Sequence, residues 1–130
     1  MKVITDSKTV KKYAQRDHKK MSVIEQMELE WPEMTEEFKK IQREQYELFL
    51  HKQHDYGPGN ISVGTQLQTP DEIHLSLTGL WFRMNDKIQR LKQLVVLGEP
   101  DTVGESSEDT FQDLSVYGII AQIVSKKKFK

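Results

Sequence analysis

The chain has no cysteine among its 130 residues, which excludes disulfides, thiolate nucleophiles and cysteine-based zinc sites together. Proline occurs four times and glycine seven, so long stretches are left free of the residues that break helices. No apolar run approaches the ~20 residues of a membrane span. Residues 1–20 contain no apolar stretch of signal-peptide length. The four histidines, His18, His51, His54 and His74, lack zincin spacing, and neither a Ser-His-Asp nor a Gly-x-Ser-x-Gly arrangement is present. These absences lead to the expectation of a cytoplasmic protein, in the host cytoplasm if viral.

What is present suits a soluble helical domain: 36% apolar and 30% charged residues, in a length that supports one core. The net charge of −1 hides an asymmetry. Residues 1–20 carry seven Lys/Arg against two Asp, and Lys126, Lys127, Lys128 and Lys130 add four more cations, so the body between is acidic. Basic ends could touch nucleic acid, but solubilising, fraying termini are the ordinary meaning. With only Phe129 in the tail, no platform for stacked bases is indicated, and a nucleic-acid partner is not expected.

Apolar spacing predicts the elements. Residues 8–29, with Val10, Tyr13, Ile24, Met27 and Leu29, read as one or two short amphipathic helices. Trp31-Pro32 is a break, and Pro32 opens a helix to about Gln53 with Met34, Phe38, Ile41, Leu48 and Phe49 on its apolar side. Gly57-Pro58-Gly59-Asn60 stops it, and 61–68 read as loop. Thr69-Pro70-Asp71-Glu72 caps a third helix, which runs to Leu97 along the stripe Ile73, Leu77, Trp81, Met84, Ile88, Leu91 and Val95, with Gly98 as its stop. The last helix, within residues 105–124, looks apolar nearly all round and therefore central. The expectation is an all-α fold: a small bundle of three long helices behind an N-terminal segment. It forms a single helical domain over 1–130, divided into a basic segment 1–30, a core 31–125 and a basic tail 126–130.

Three polar constellations could carry chemistry. Glu44, Glu47, His51 and Asp55 fall within ~60° on the second helix, flanking its apolar side. Arg83, Asp86, Lys87 and Arg90 share one face of the third helix. That face lies nearly opposite the apolar stripe, where solvated ion pairs are the usual outcome. Glu105, Glu108, Asp109 and Asp113 head the last helix. Acids in a first turn are ordinary dipole partners, but Asp113 lies a full turn deeper, beside Leu114, and needs a metal, a cation or a proton. Oxygen ligands without cysteine suit Mg²⁺ or Mn²⁺, and carboxylates near cations suit a polyphosphate.

Taken in order, K52-x-x-D55-Y56-G57, then G79-L-W-x-R83-x-x-D86-K87-x-x-R90-L, then E105-x-x-x-D109-x-x-x-D113-L-x-x-Y117 resemble the "nucleotide modification associated domain 1" proteins of phages and bacteria, over about residues 45–125. That group is distantly similar to the all-α nucleoside triphosphate pyrophosphatases of the MazG type. Those hold Mg²⁺ on E-x-x-E and E-x-x-D pairs. Here Asp109 and Asp113 stand at i,i+4, and Thr110 fills the slot before Asp113. The resemblance implies a nucleotide or nucleotide derivative as partner.

Three readings follow. In the first, a Mg²⁺-dependent nucleotide pyrophosphohydrolase, Asp86, Asp109 and Asp113 hold metal and Arg83, Lys87 and Arg90 take phosphates. Glu105, Glu108 or Glu47 serves as base. In the second, a non-hydrolytic binder, for example a viral sponge for a host signalling nucleotide, uses the same cations with Lys52, Asp55, Tyr56 and Asn60. Tyr56, Trp81 or Tyr117 stacks on the base. In the third, Asp113 pairs with Arg83 or Arg90 as a purely structural bridge in a helical interaction protein. Slim helices with broad apolar stripes also suggest a homodimer or larger oligomer.

Overall fold

A computed structural model describes residues 20–130. The apolar positions Val10 and Tyr13, and most of the basic N-terminal segment, lie outside the described residues. Among the described residues, five α-helices and one π-helical turn account for the regular structure and no strand occurs. The fold is a small all-α bundle, as the apolar periodicity predicts. Cα proximity divides the chain into two compact units, Met1–Tyr46 and Glu47–Lys130, with the long second helix continuous across the division.

In the first unit, Ser22 caps α1 (Val23–Glu30) by accepting from the Glu25 backbone N–H at 3.1 Å. Trp31 leaves the helical region, and Pro32 begins α2 (Pro32–Tyr56) at the position where a missing N–H costs nothing. Lys39 pairs with Glu28, joining the two helices. The apolar positions Met34, Phe38 and Ile41 are exposed.

The second unit holds the end of α2, a single turn α3 (Gly59–Ser62), α4 (Pro70–Leu91) and α5 (Ser107–Ser125). Residues 61–68, expected as loop, therefore begin helical. The turn ends at Val63, whose left-handed φ of 52° is rare for a β-branched residue. Ser76 on α4, almost fully buried, donates its hydroxyl to the Ile61 carbonyl at 2.7 Å and fixes α3 in place. Thr69 and Glu72 form a reciprocal capping box at the start of α4. Backbone N–H groups of Gln68 and Thr69 both donate to the Glu72 carboxylate, which lowers its pKa. After Leu91 the helix widens into one π turn, Lys92–Val96, before Gly98 closes it at φ +67°.

Ile61, Leu67, Leu80, Ile120, Val124 and Phe129 form the core, with Phe49, Ile73, Leu77, Val116 and Tyr117 packed around them. Phe129 is buried and meets Phe49 edge to face, ring centroids 6.5 Å apart. The C-terminal tail is thus docked, where fraying was expected. Lys127 takes a left-handed φ of 58°, and the Lys128 N–H reaches back to the Ile123 carbonyl at 3.0 Å.

Two burial expectations hold only in part: Ile73 and Leu77 of the expected α4 stripe pack against the core, but other positions depart from the pattern. Along α4 the inward line is Ser76, Leu80, Arg83, Lys87 and Arg90, while Trp81, Ile88 and Val95 of the presumed core stripe are more than half exposed. On α5 the apolar residues do not bury all round: Thr110, Ile120 and Val124 are inside, but Phe111 and Ile119 face outward. The physical reason is that α4 presents its Arg83–Arg90 side to α5. Ion pairs and long aliphatic stems can fill such a contact, and side-chain apolarity alone does not identify it.

Candidate functional site

The contact between α4 and α5 changes character along its length. At one end Leu80 meets the Ile120 and Val124 core. At the other, Lys87 reaches across to both Glu105 and Asp113, its Nζ 2.9 Å from Asp113 Oδ2. All three side chains are half-buried, Lys87 the most enclosed at 21% exposure. The Glu105 carboxylate, then Asp113, holds the Lys87 ammonium well above its ordinary range against the opposing effect of burial. Asp113 thus faces inward and has a cation partner, but the partner is Lys87 and not Arg83 or Arg90.

Arg90 is committed elsewhere. Its Nη2 donates to Asp101 Oδ1 at 2.7 Å and to the Glu105 carbonyl at 2.6 Å, while its Nε is buried without a partner among the described residues. The same Asp101 oxygen accepts the backbone N–H groups of Val103, Gly104 and Glu105. The Val103 N–H first, then the Arg90 guanidinium and the Glu105 N–H, lower the Asp101 pKa. Arg90 and Asp101 therefore shape the loop that delivers Glu105 to Lys87. The sequence signal was an Asp ahead of a glycine turn, whose side chain caps its own loop.

The remaining predicted residues fall in separate places. Asp109 turns back onto Ser106 in a second capping box, with Ser106 N–H 3.2 Å from Oδ2 and Asp109 N–H 3.1 Å from Ser106 Oγ. Glu108 is exposed in the same first turn. Asp86 is exposed at the edge of the Lys87 cleft. Asp55 is exposed and lies 3.0 Å from His54 Nδ1. Glu44 and Glu47 are exposed on α2. Among the described residues no three Asp, Glu or His side chains gather where they could hold a metal ion. The proposed Mg²⁺ ligands Asp86, Asp109 and Asp113 accordingly do not form one donor set, since Asp109 caps its helix and Asp113 is held by Lys87.

Two depressions meet at Tyr117. The first, about 250 Å³, lies between the end of α2, α3 and α5. Leu48, Phe49, Ile61, Val116 and Ile120 give it an apolar wall. Lys52, Gln53, Tyr56, Asn60, Gln112 and Asp113 supply its polar groups. The second, about 300 Å³ and more open, is lined by Arg83, Asp86, Lys87, Arg90, Glu105 and Tyr117. Arg83 Nη2 donates to the Asn60 carbonyl at 2.8 Å, which ties the cation of one depression to the rim of the other. Asp113, on the wall of the first, is gripped by Lys87 from the second.

Charge separates the cations into two kinds. Lys87 and Arg90 are neutralised by Glu105, Asp113 and Asp101. No carboxylate pairs with Lys52 or Arg83 among the described residues. Gln53 and Gln112 are the lining residues that sequence reading missed. Each sits next to residues singled out, but an uncharged amide carries no periodic or electrostatic signal of its own. Comparison of the chain with family models, with curated proteins and with solved structures finds no match.

Proposed function

We propose that the chain is a nucleotide-binding protein that holds its ligand without hydrolysing it. The base enters the 250 Å³ pocket, and the phosphate lies at its mouth between Lys52 and Arg83. The carrying observation is the pairing of an apolar, amide-lined pocket with two cations that have no carboxylate partner among the described residues. An anion can bind Lys52 and Arg83 without first displacing a protein carboxylate, whereas Lys87 and Arg90 are occupied. Tyr56 and Tyr117 flank the pocket and offer faces to a base. A binder needs no converging carboxylates, which favours it over the Mg²⁺-dependent pyrophosphohydrolase. Both share the nucleotide class that the motif resemblance implies, and a phage sponge for a host signalling nucleotide belongs to it. Calorimetry with nucleoside mono- and triphosphates, with and without Mg²⁺, followed by chromatography of the ligand recovered from denatured complex, tests the reading. Unchanged ligand is expected. Pyrophosphate release that depends on Mg²⁺ would restore the hydrolase, and absence of binding to every nucleotide would end both.

Self-association is proposed on a separate observation. Leu77, Trp81, Met84, Ile88, Leu91 and Val95 repeat at alternating spacings of four and three, the seam of a coiled coil, and Trp81, Ile88 and Val95 lie more than half exposed. A helix seam of this period is suited to a second helix of the same kind, so the reading is a homodimer across α4. Sedimentation should show a dimer that Trp81→Glu with Ile88→Glu converts to monomer. A wild-type monomer at high micromolar concentration would exclude it.

A further inference from the structure

We infer that the pocket selects guanine, and that Asp113 is the residue that selects it. The inference rests on the nucleotide reading and deepens it. Asp113 lines a pocket whose apolar wall includes Val116, Ile120 and Phe49, and it is ion-paired with Lys87 at 2.9 Å. A carboxylate in an ion pair only accepts hydrogen bonds, and its two oxygens offer about four lone-pair positions. Lys87 uses Oδ2 and leaves Oδ1 without a partner among the described residues. A base seated in this pocket must therefore bring donors to Asp113.

The natural bases differ sharply in what they can bring. Guanine presents two adjacent donors, N1–H and the 2-amino group, spaced to meet both oxygens of one carboxylate. Adenine and cytosine present one amino donor beside a ring-nitrogen acceptor, so a lone pair would face the carboxylate. Uracil and thymine present one imide N–H between two carbonyl acceptors. Leaving a site's polar group facing the wrong partner is how hydrogen-bonding sites reject analogues most strongly. The carboxamides complete the match. Gln53, Asn60 and Gln112 line the same pocket, and a side-chain NH₂ among them can donate to guanine O6 or N7. At about 250 Å³, below the usual ~300–1,000 Å³ of ligand pockets, the space suits one base with its sugar at the mouth. Lys87 is then a positioning residue. It holds the Asp113 carboxylate in place while standing in the neighbouring depression.

The test uses the full chain and five probes: GMP, AMP, CMP, UMP and XMP, each titrated by calorimetry against wild type and Asp113→Asn. Wild type should bind GMP at least tenfold more tightly than the other four. In Asp113→Asn the side chain offers one acceptor and one donor, which matches xanthine's N1–H and 2-carbonyl. GMP preference should disappear, and XMP should become the tightest ligand. Binding of AMP, CMP, UMP and GMP within threefold of one another by wild type would overturn guanine selection while leaving the nucleotide reading intact. An unchanged preference in Asp113→Asn would also overturn it. Absence of binding by all five to wild type would sink selection and nucleotide binding together. The wild-type series decides the matter even if the variant fails to fold.

Discussion

The two ends of the α4–α5 contact are made of the same helices and do different work. At the Leu80 end, Leu80, Ile120 and Val124 are almost fully buried, and their packing is what a helix pair needs to stay together. At the Lys87 end, the same register brings a lysine, two arginines and three carboxylates into half-buried positions beside two depressions. Ion pairs in such places stabilise little in net terms, because desolvation offsets most of the attraction. A helix pair built for stability alone would continue the apolar pattern. The pattern instead changes to charge where the pockets lie, and the proposed nucleotide reading puts the ligand at this end. The comparison can be broken at either end.

The largest effect belongs to the apolar end. Leu80→Ala removes a side chain that is 2% exposed and leaves a cavity between α4 and α5. Loss of about 2–5 kcal/mol is expected in chemical denaturation, with ligand affinity unchanged under conditions where the variant is folded. A variant that kept its stability but lost nucleotide binding would place the site at the wrong end.

Lys87→Met comes next and probes the other end. It leaves Glu105 and Asp113 facing each other without their shared cation. The cost of breaking a buried pair, roughly 3–5 kcal/mol when fully enclosed, should fall to about 1–3 kcal/mol at this partly open position. Adding Asp113→Leu to Lys87→Met should recover most of that loss while abolishing binding. Denaturation and calorimetry on the two variants check this. Failure of the double variant to regain stability would mean that the bridge contributes more than its charge pairing.

The pH dependence should be lopsided. Asp101 and Glu72 have lowered pKa values, so their contributions are full above the ordinary values of 3.8 and 4.5 and vanish as pH falls through the folded values. Lys87 has a raised pKa, so its contribution is full below 10.5 and is lost only as pH climbs past the folded value. Melting temperature should therefore be flat between about pH 5 and pH 10 and drop on the acid side first. Asp101→Asn should flatten the acid limb, because Arg90 and the Val103–Glu105 N–H groups would no longer lose a carboxylate there.

Much of this was legible in the sequence, and the rest was not for identifiable reasons. Pro32, Pro70 and Gly98 mark helix ends that lie where the punctuation puts them or within a few residues. Periodicity identified the α4 stripe, but period does not say which face meets a neighbour. The stripe's Trp81 and Ile88 are outside, and the charged face is inside. Asp113 stood out because its depth on the helix needed a partner, although which cation would reach it depended on the register of α4 against α5. Asp109 looked equivalent by spacing and is a cap, because Ser106 precedes it by three residues. That capping pattern was present in the letters. Gln53 and Gln112 carried no such signal, and only their place beside Asp113 gives them meaning.

The smallest predicted effect lies in the loop that carries Asn60 to Arg83. Val63 closes α3 at φ 52° with its side chain about half exposed, so it adds little burial in return for the strain. A left-handed conformation costs an L-residue roughly 1–2 kcal/mol, more for a β-branched one, while glycine there loses about 0.5–1 kcal/mol to backbone entropy. Val63→Gly should therefore raise stability by about 0.5–1 kcal/mol, read as a small rise in denaturation midpoint. The same substitution loosens the chain three residues after Asn60, whose carbonyl holds Arg83 at 2.8 Å. If Arg83 must be held there to meet phosphate, nucleotide affinity should fall even as stability rises. If affinity is unmoved, the Ser76 bond to the Ile61 carbonyl is sufficient to hold the loop, and the strain at Val63 serves no part of the site.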